Sequence, residues 1–366
     1  MDSISIHSHF KDYKVSFTDS LKGIVEAYDK PESFFVMDRK IIELYGEELK
    51  LKAVGQDVGA LPDDRLYIVD ALEENKTVDT ALDICEKMTS MPSKRNTHLI
   101  SIGGGIVQDI TGFVANVLYR GIDWTFYPST LLAGCDSCIG GKTSLNYKGY
   151  KNLLGTFYPP DEIIIYPGLY QTLTERDYMS GLGEVVKFNV MAGRDGIDRI
   201  EKDLDSLLNR DHDTVNEYIQ RSLTFKKVFI EEDEFDKGRR ILLNFAHTFG
   251  HAYEVSSKYE IPHGSAVALG MVTANRISLK RGVLREEFAE RIENVCRRIL
   301  KLELKEEWFA DDTILGAIRK DKKQVDTAIR AVLMDNDLTL HIVKDLTDDE
   351  VKEAISYIRE YIHTCR

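Results

Sequence analysis

The chain has 366 residues, 43% of them apolar, enough for two packed domains, and its five cysteines are odd in number and scattered. A disulfide framework is therefore not expected, and a reducing cytosol fits. The formal charge of −13 argues against general nucleic-acid binding, which needs basic surface, yet leaves room for an anionic small molecule held by a few local cations.

The opening Met1-Asp-Ser-Ile-Ser-Ile-His7 lacks the basic and long apolar regions of a secretory signal, and no apolar run reaches the roughly 20 residues of a membrane span. Residues 33–38, 66–70, 98–103, 124–128 and 162–167 read as strands. Between them, 77–91 and 106–118 carry apolar residues at helical spacing. This alternation predicts a mostly parallel sheet covered by helices, with ligands at the carboxyl ends of its strands. From about Thr174 the pattern changes to successive amphipathic helices over 175–191, 214–229, 240–257, 264–280 and 287–302. Residues 328–333 and 338–343 read as a short hairpin around Asp335-Asn-Asp337. Two domains are expected, an α/β domain over 1–173 and a mainly α-helical one over 174–366.

Asp38 closes an apolar strand, where a carboxylate could meet a ribose hydroxyl; a helix cap is an equal reading. Gly103-Gly-Gly-Ile-Val-Gln-Asp109 follows a strand and opens a helix, a place where backbone approaches a phosphate. It departs from Gly-x-Gly-x-x-Gly, since Gln108 stands where the third glycine would be. Cys135-Asp-Ser-Cys138 has no second Cys-x-x-Cys to make a zinc ribbon and reads as small residues in a helical turn. Asp136 to Lys142 and Lys151-Asn152 are rich in glycine, hydroxyl and cationic groups, which suits an anion or solvated loops. Glu184 and Lys187 are three apart on one helix face, either a surface ion pair or a metal ligand with a neighbouring cation.

Arg240 and Asn244 lead into the densest histidine segment, with Lys226 upstream as a second cation; surface charge is the default for both cations. There His247 and His251 lie four apart, on one face of a helix, and His263 follows a helix end. Imidazoles gathered in this way suit a borderline metal such as zinc, although His-x-x-x-His alone is weak evidence.

Taken in order, these segments resemble 3-dehydroquinate synthase and the wider sugar phosphate cyclases. The match runs through Gly103 to Asp109, Tyr119-Arg-Gly121, Pro128-Ser-Thr130, Asp136 to Thr143, Lys151-Asn152 and Gly183-Glu184-Val-Val-Lys187. It continues through Asp233-Glu234, Asn244-x-x-His247-Thr-Phe-Gly-His251, His263-Gly264 and Asp321-Lys322-Lys323. The resemblance implies a Rossmann-like NAD domain followed by a helical metal and substrate domain. It implies a catalytic Zn2+, with Co2+ as the alternative, held by Glu184, His247 and His263. His251, Lys142, Asn152, Asn244 and Lys322 then serve the substrate phosphate and hydroxyls, joined by Arg120 from a neighbouring subunit of a homodimer. Asp136 and Lys187 partner ring hydroxyls, and Lys226 and Arg240 grip a carboxylate. Asp38, Glu73, Lys76, Gly104, Gly105, Asp109, Ser129, Thr130, Lys142 and Lys151 surround NAD.

The implied substrate is a small anionic sugar-acid phosphate, 3-deoxy-D-arabino-heptulosonate 7-phosphate, closed to 3-dehydroquinate with loss of phosphate. Cyclases acting on neutral sedoheptulose 7-phosphate usually lose the Lys226–Arg240 pair. The chain departs from the family pattern at Ala71, Ser129, Ser144 and Ser265. A relative making an amino or valiolone carbocycle, or a metal-dependent alcohol or glycerol dehydrogenase, is the alternative.

Overall fold

The computed structural model describes residues 3–28, 30–49, 63–92, 94–320 and 328–365. Two compact units divide the chain, Met1–Thr172 and Leu173–Arg366.

The first unit is built on β1 (Ile4–Ile6), β2 (Tyr13–Phe17), β3 (Ser33–Asp38), β4 (Leu66–Val69), β5 (His98–Gly103), β6 (Asp123–Pro128) and β9 (Glu162–Ile165). They form one sheet in the order β1-β2-β9-β6-β5-β3-β4, parallel except for β1 against β2. The run Phe34-Phe-Val-Met37 is wholly buried, as expected of a central parallel strand covered on both faces. β3 pairs with β4 on one side and β5 on the other, so strand order reverses there. The carboxyl ends of β3 and β5 therefore form the switch point at which open α/β sheets bind ligands. Helices α1 (Ile24–Ala27), α2 (Arg39–Tyr45), α3 (Val78–Thr89) and α4 (Gly105–Val117) connect the strands.

The segment after β6, rich in glycine and hydroxyls, forms strands β7 (Lys142–Tyr147) and β8 (Tyr150–Phe157). Lys148 and Gly149 both have positive φ, 47° and 81°, as a tight two-residue hairpin turn requires.

The second unit is mainly helical. It contains α5 (Glu175–Met191), α6 (Arg194–Leu208), α7 (His212–Glu232), α8 (His247–Ser256), α9 (His263–Lys280), α10 (Glu286–Ile299), α11 (Asp311–Lys320) and α12 (Asp348–Tyr361). A hairpin, β10 (Ile329–Met334) with β11 (Leu340–Leu346), completes it. From Tyr178 to Met191 every residue of α5 is buried, and α9 is buried nearly throughout. Helices covered all round form the centre of this unit.

One expectation needs correction. The pattern over 240–257 predicts a single helix, but the chain makes a 3-10 turn, Arg239–Asn244, and then starts α8 at His247. Between them Ala246 has φ 70°, a left-handed backbone that alanine seldom adopts. Arg240 and Asn244 therefore do not share the face of a continuous helix with His247. Among the described residues, no helix is long and apolar enough to cross a membrane.

Candidate active site

Glycines set the geometry of the second unit. A Cβ on Gly264 would lie 1.7 Å from the carbonyl oxygen of Ser180, and one on Gly183 would lie 2.0 Å from that of Gly264. Only hydrogen fits at either place, so the backbones of α5 and α9 approach closely and bring the adjacent Glu184 and His263 together. A Cβ on Gly270 would lie 2.2 Å from the carbonyl oxygen of Ala246, which holds the start of α8, and so His247, against α9.

His247 Nδ1 is 3.0 Å from the Phe245 carbonyl oxygen. A carbonyl only accepts, so Nδ1 carries the hydrogen and Nε2 presents its lone pair. That Nε2 is 3.4 Å from Oε1 of Glu184, and Nε2 of His263 is also 3.4 Å from Oε1. The other ring nitrogen of His263, Nδ1, is 3.3 Å from Oε2 of Glu254. One donor atom from each of Glu184, His247 and His263 lies within 4.8 Å of the other two. The 3.4 Å separations match the edge, about 3.3 Å, of a tetrahedron with bonds of about 2.0–2.1 Å to a cation. Glu184 has no solvent exposure, and neither of its oxygens has a hydrogen bond of regular geometry. A dry carboxylate beside two imidazole nitrogens, one carrying a carboxylate partner on its far side, is a group of donors able to hold a metal ion with a position left open.

The charges agree. Burial opposes ionisation of Glu184, but the Lys187 ammonium, 2.5 Å from Oε2, and the two imidazoles outweigh it and hold the carboxyl well below its ordinary range. Burial, then Lys187, pushes His247 down to about 3, so it is neutral and able to ligate. His263 differs: burial opposes its protonation, yet Glu254 and Glu184 draw it up to about 10, so a cation must displace its Nε2 proton in order to bind. Glu254 carries no signal in the sequence beyond its place three residues after His251.

The other predicted groups of this unit fall nearby in unequal ways. The ring of His251 is 5.3 Å from that of His247 and 6.0 Å from that of His263, centre to centre. Lys187 also donates to the Leu243 carbonyl at 3.2 Å, so its ammonium links Glu184 to the turn before α8. Asn244 donates to the Ile241 carbonyl at 3.0 Å. Lys226 and Arg240 are both buried, at 7% and 3% exposure, which sets aside the surface-charge reading. Arg240 is placed by Asp233, whose carboxylate accepts from the backbone of Lys237, Gly238 and Arg240, and its guanidinium donates to the Glu234 carbonyl. Lys322 lies outside the described residues.

In the first unit the predicted cofactor groups sit in two places. Asp38, Gly104, Gly105, Ser129 and Thr130 lie at the carboxyl ends of β3, β5 and β6. Asp38 caps α2, accepting from the Lys40 amide at 3.0 Å, and burial raises its carboxyl above the ordinary value. A Cβ on Gly104 would lie 2.9 Å from Thr130 Cγ2, so any other residue where β5 enters α4 would displace the Thr130 side chain. Gln108, in the place of the third glycine, exchanges two hydrogen bonds of 2.7 Å with Ser137 and fixes the turn Ala133–Ser137 that holds Asp136.

The second place is the β7–β8 hairpin. Lys76, buried, pairs with Asp109 and donates to Asn152 Oδ1 at 2.7 Å. Ser144 donates to Asp109 from its amide at 3.0 Å and its hydroxyl at 3.1 Å, and this hydroxyl is 2.8 Å from Asn152 Oδ1. Burial raises the Asp109 carboxyl, with Lys76 and Ser144 opposing. Asn146 donates to Glu73 Oε1 at 2.8 Å, and Lys151 lies 3.6 Å from the same oxygen. The structure thus gathers Glu73, Lys76, Asp109, Lys151 and Asn152, and adds Ser144 and Asn146, which sequence reasoning left out. Lys142 opens β7 on the exposed side. Arg120 is exposed, in a run of left-handed backbone with Tyr119 and Gly121.

Residues 66–180 match the 3-dehydroquinate synthase N-terminal family and residues 181–324 the 3-dehydroquinate synthase C-terminal family. The 3-dehydroquinate synthase of Dictyoglomus turgidum (strain DSM 6724 / Z-1310) is 33% identical over 364 residues, covering 98% of both chains. Among solved structures, the fold is similar to 2-epi-5-epi-valiolone synthase from Streptomyces hygroscopicus subsp. jinggangensis 5008 with NAD+ and Zn2+ bound. The TM-score is 0.83 at 26% identity, covering 98% of this chain and 99% of that one. It is also similar to 2-deoxy-scyllo-inosose synthase complexed with carbaglucose-6-phosphate, NAD+ and Co2+, with TM-score 0.81, 22% identity and coverage of 97% and 99%.

Proposed function

The chain belongs to the 3-dehydroquinate synthase family, and from that premise we propose that it converts 3-deoxy-D-arabino-heptulosonate 7-phosphate to 3-dehydroquinate and phosphate. The observation that carries this reading is the dry Glu184–His247–His263 donor set.

NAD+ is assigned to the first unit and a divalent cation, Zn2+ or Co2+, to the second. When bound, the cation would supply Lewis-acid polarisation of a substrate oxygen and NAD+ a reversible hydride acceptor, chemistry that allows loss of phosphate without net consumption of the cofactor. The residues of the chain supply position and charge. Glu184, His247 and His263 hold the cation. Lys226 and Arg240 hold the substrate carboxylate, the charged group that sedoheptulose 7-phosphate, with a hydroxymethyl there, lacks. His251, Asn244, Lys142, Asn152 and Lys322 serve the phosphate and hydroxyls, and Asp136 and Lys187 partner ring hydroxyls. Asp38, Gly104, Gly105, Ser129, Thr130, Asp109, Lys76, Glu73, Lys142 and Lys151 serve the cofactor. The reading extends to a cytoplasmic homodimer of the shikimate pathway, classed as a carbon–oxygen lyase, in which exposed Arg120 reaches a neighbouring subunit's substrate.

The test is phosphate release from the two heptulose phosphates with NAD+ and either cation present. Release from the acid alone is expected, with the Arg240→Ala variant losing most of its kcat/KM for it. Release from sedoheptulose 7-phosphate alone would move the chain to the valiolone-forming cyclases.

A further inference from the structure

We infer that His251, Glu254 and His263 form a second divalent-cation position, which shares His263 with the first. The inference rests on reading Glu184, His247 and His263 as the first position. His263 offers one nitrogen to each side: Nε2 lies 3.4 Å from Glu184 Oε1, and Nδ1 lies 3.3 Å from Glu254 Oε2. The second separation also matches a tetrahedral edge of about 3.3 Å. One donor atom from each of His251, Glu254 and His263 lies within 4.8 Å of the others. His251 and Glu254 are three residues apart on α8, and their common register directs both toward the first residue of α9.

Two imidazoles and a carboxylate form a second set of the same chemistry as the first. With one cation bound, His263 donates its Nδ1 hydrogen to Glu254 and is thereby oriented for the first position. A second cation displaces that hydrogen as a proton to solvent, leaving the His263 ring to bridge the two positions as an imidazolate, and draws His251 into its own coordination. Because His251 is assigned to the substrate, excess cation then competes with substrate for this side chain. The second position thus makes the enzyme sensitive to surplus zinc.

The test uses protein loaded with one equivalent of Zn2+ and titrated with further Zn2+ by calorimetry and by equilibrium dialysis with metal analysis. The expected result is a second cation per chain, bound more weakly than the first, and inhibition by Zn2+ that rising substrate relieves. His251→Gln is expected to bind one cation with the wild-type tight affinity and to show no second event. Glu254→Gln is expected to lose the second event and to weaken the first by roughly tenfold or more. Far-ultraviolet circular dichroism of both variants separates these effects from misfolding. A wild-type stoichiometry of one at all Zn2+ concentrations, or two cations still bound by a folded His251→Gln, overturns the second position. Failure of the wild type to take up the first equivalent tightly overturns the reading of Glu184, His247 and His263 instead.

Discussion

At Glu184 a carboxylate without solvent exposure meets one ammonium and two imidazole nitrogens. Such a group is stable only while its neighbours answer its charge, and they depend on it in turn. Glu184→Ala leaves the Lys187 ammonium buried without its partner, a change that costs about 3–5 kcal/mol. The variant is expected to melt well below the wild type and to lose stoichiometric metal, read by calorimetry and metal analysis. Wild-type metal content in a folded Glu184→Ala protein would remove this residue from the donor set. In the first unit Lys76 holds the same place for Asp109. Lys76→Met should weaken NAD+ binding about tenfold, the equivalent of one charge-assisted hydrogen bond, in a fluorescence titration. Unchanged affinity would separate this network from the cofactor. The histidines were visible in the sequence as a cluster, but the tautomer of His247 was not. It depends on the Phe245 carbonyl, two residues back across the left-handed Ala246.

At the scale of elements, the close approach of α5 and α9 has a simple sequence origin, Gly183 beside Glu184 and Gly264 beside His263. Gly264→Ala puts a methyl 1.7 Å from the Ser180 carbonyl oxygen, and the helices must part. The cost is expected at about 1–3 kcal/mol or more, with weaker metal binding, because Glu184 and His263 separate with their helices. A variant destabilised but with wild-type metal affinity would mean that the helix spacing does not set the site. The break before α8 was not legible. Apolar spacing continues across it without proline or glycine, and what imposes it is tertiary, the seat of Ala246 against Gly270. The cap of α12 was legible in principle: Thr347-x-x-Glu350 is a capping box. Arg281, bonded to Glu350, together with Thr347, pulls that carboxyl down to about 2 against its burial. Its folded value lies below its unfolded one, so this contribution is present above about pH 4.5 and is lost as pH falls toward 2. The melting difference between wild type and Glu350→Gln should therefore be largest above pH 4.5 and vanish near pH 2. A difference that persists at pH 2 would show that the charge of Glu350 is not what holds the cap.

Across the whole molecule, what could be read depended on how much core each segment faces. β3, β5 and β6 and the helices α5 and α9 are largely apolar, α10 is strongly amphipathic, and residue pattern located them closely. β1 has three residues, and the β7–β8 hairpin shows mostly exposed side chains from Tyr150 to Gly155, so neither carries a strong hydrophobic pattern. That hairpin nevertheless brings Asn152 and Ser144 to Lys76 and Asp109. Ser144, one of the departures from the family pattern, carries a hydroxyl that donates to Asp109 and lies 2.8 Å from Asn152 Oδ1. The ordered resemblance, more than any single motif, named the family. As a member of this family, the protein is a cyclase that borrows a hydride and returns it. The most direct measurement of this supplies protein, cation and the heptulosonate phosphate with far less NAD+ than substrate, and follows phosphate, product mass and NADH absorbance together. Many phosphates released per NAD+, a carbocyclic product and no net NADH are expected. NADH rising in step with product, or turnover that stops after one equivalent of NAD+, would contradict this reading.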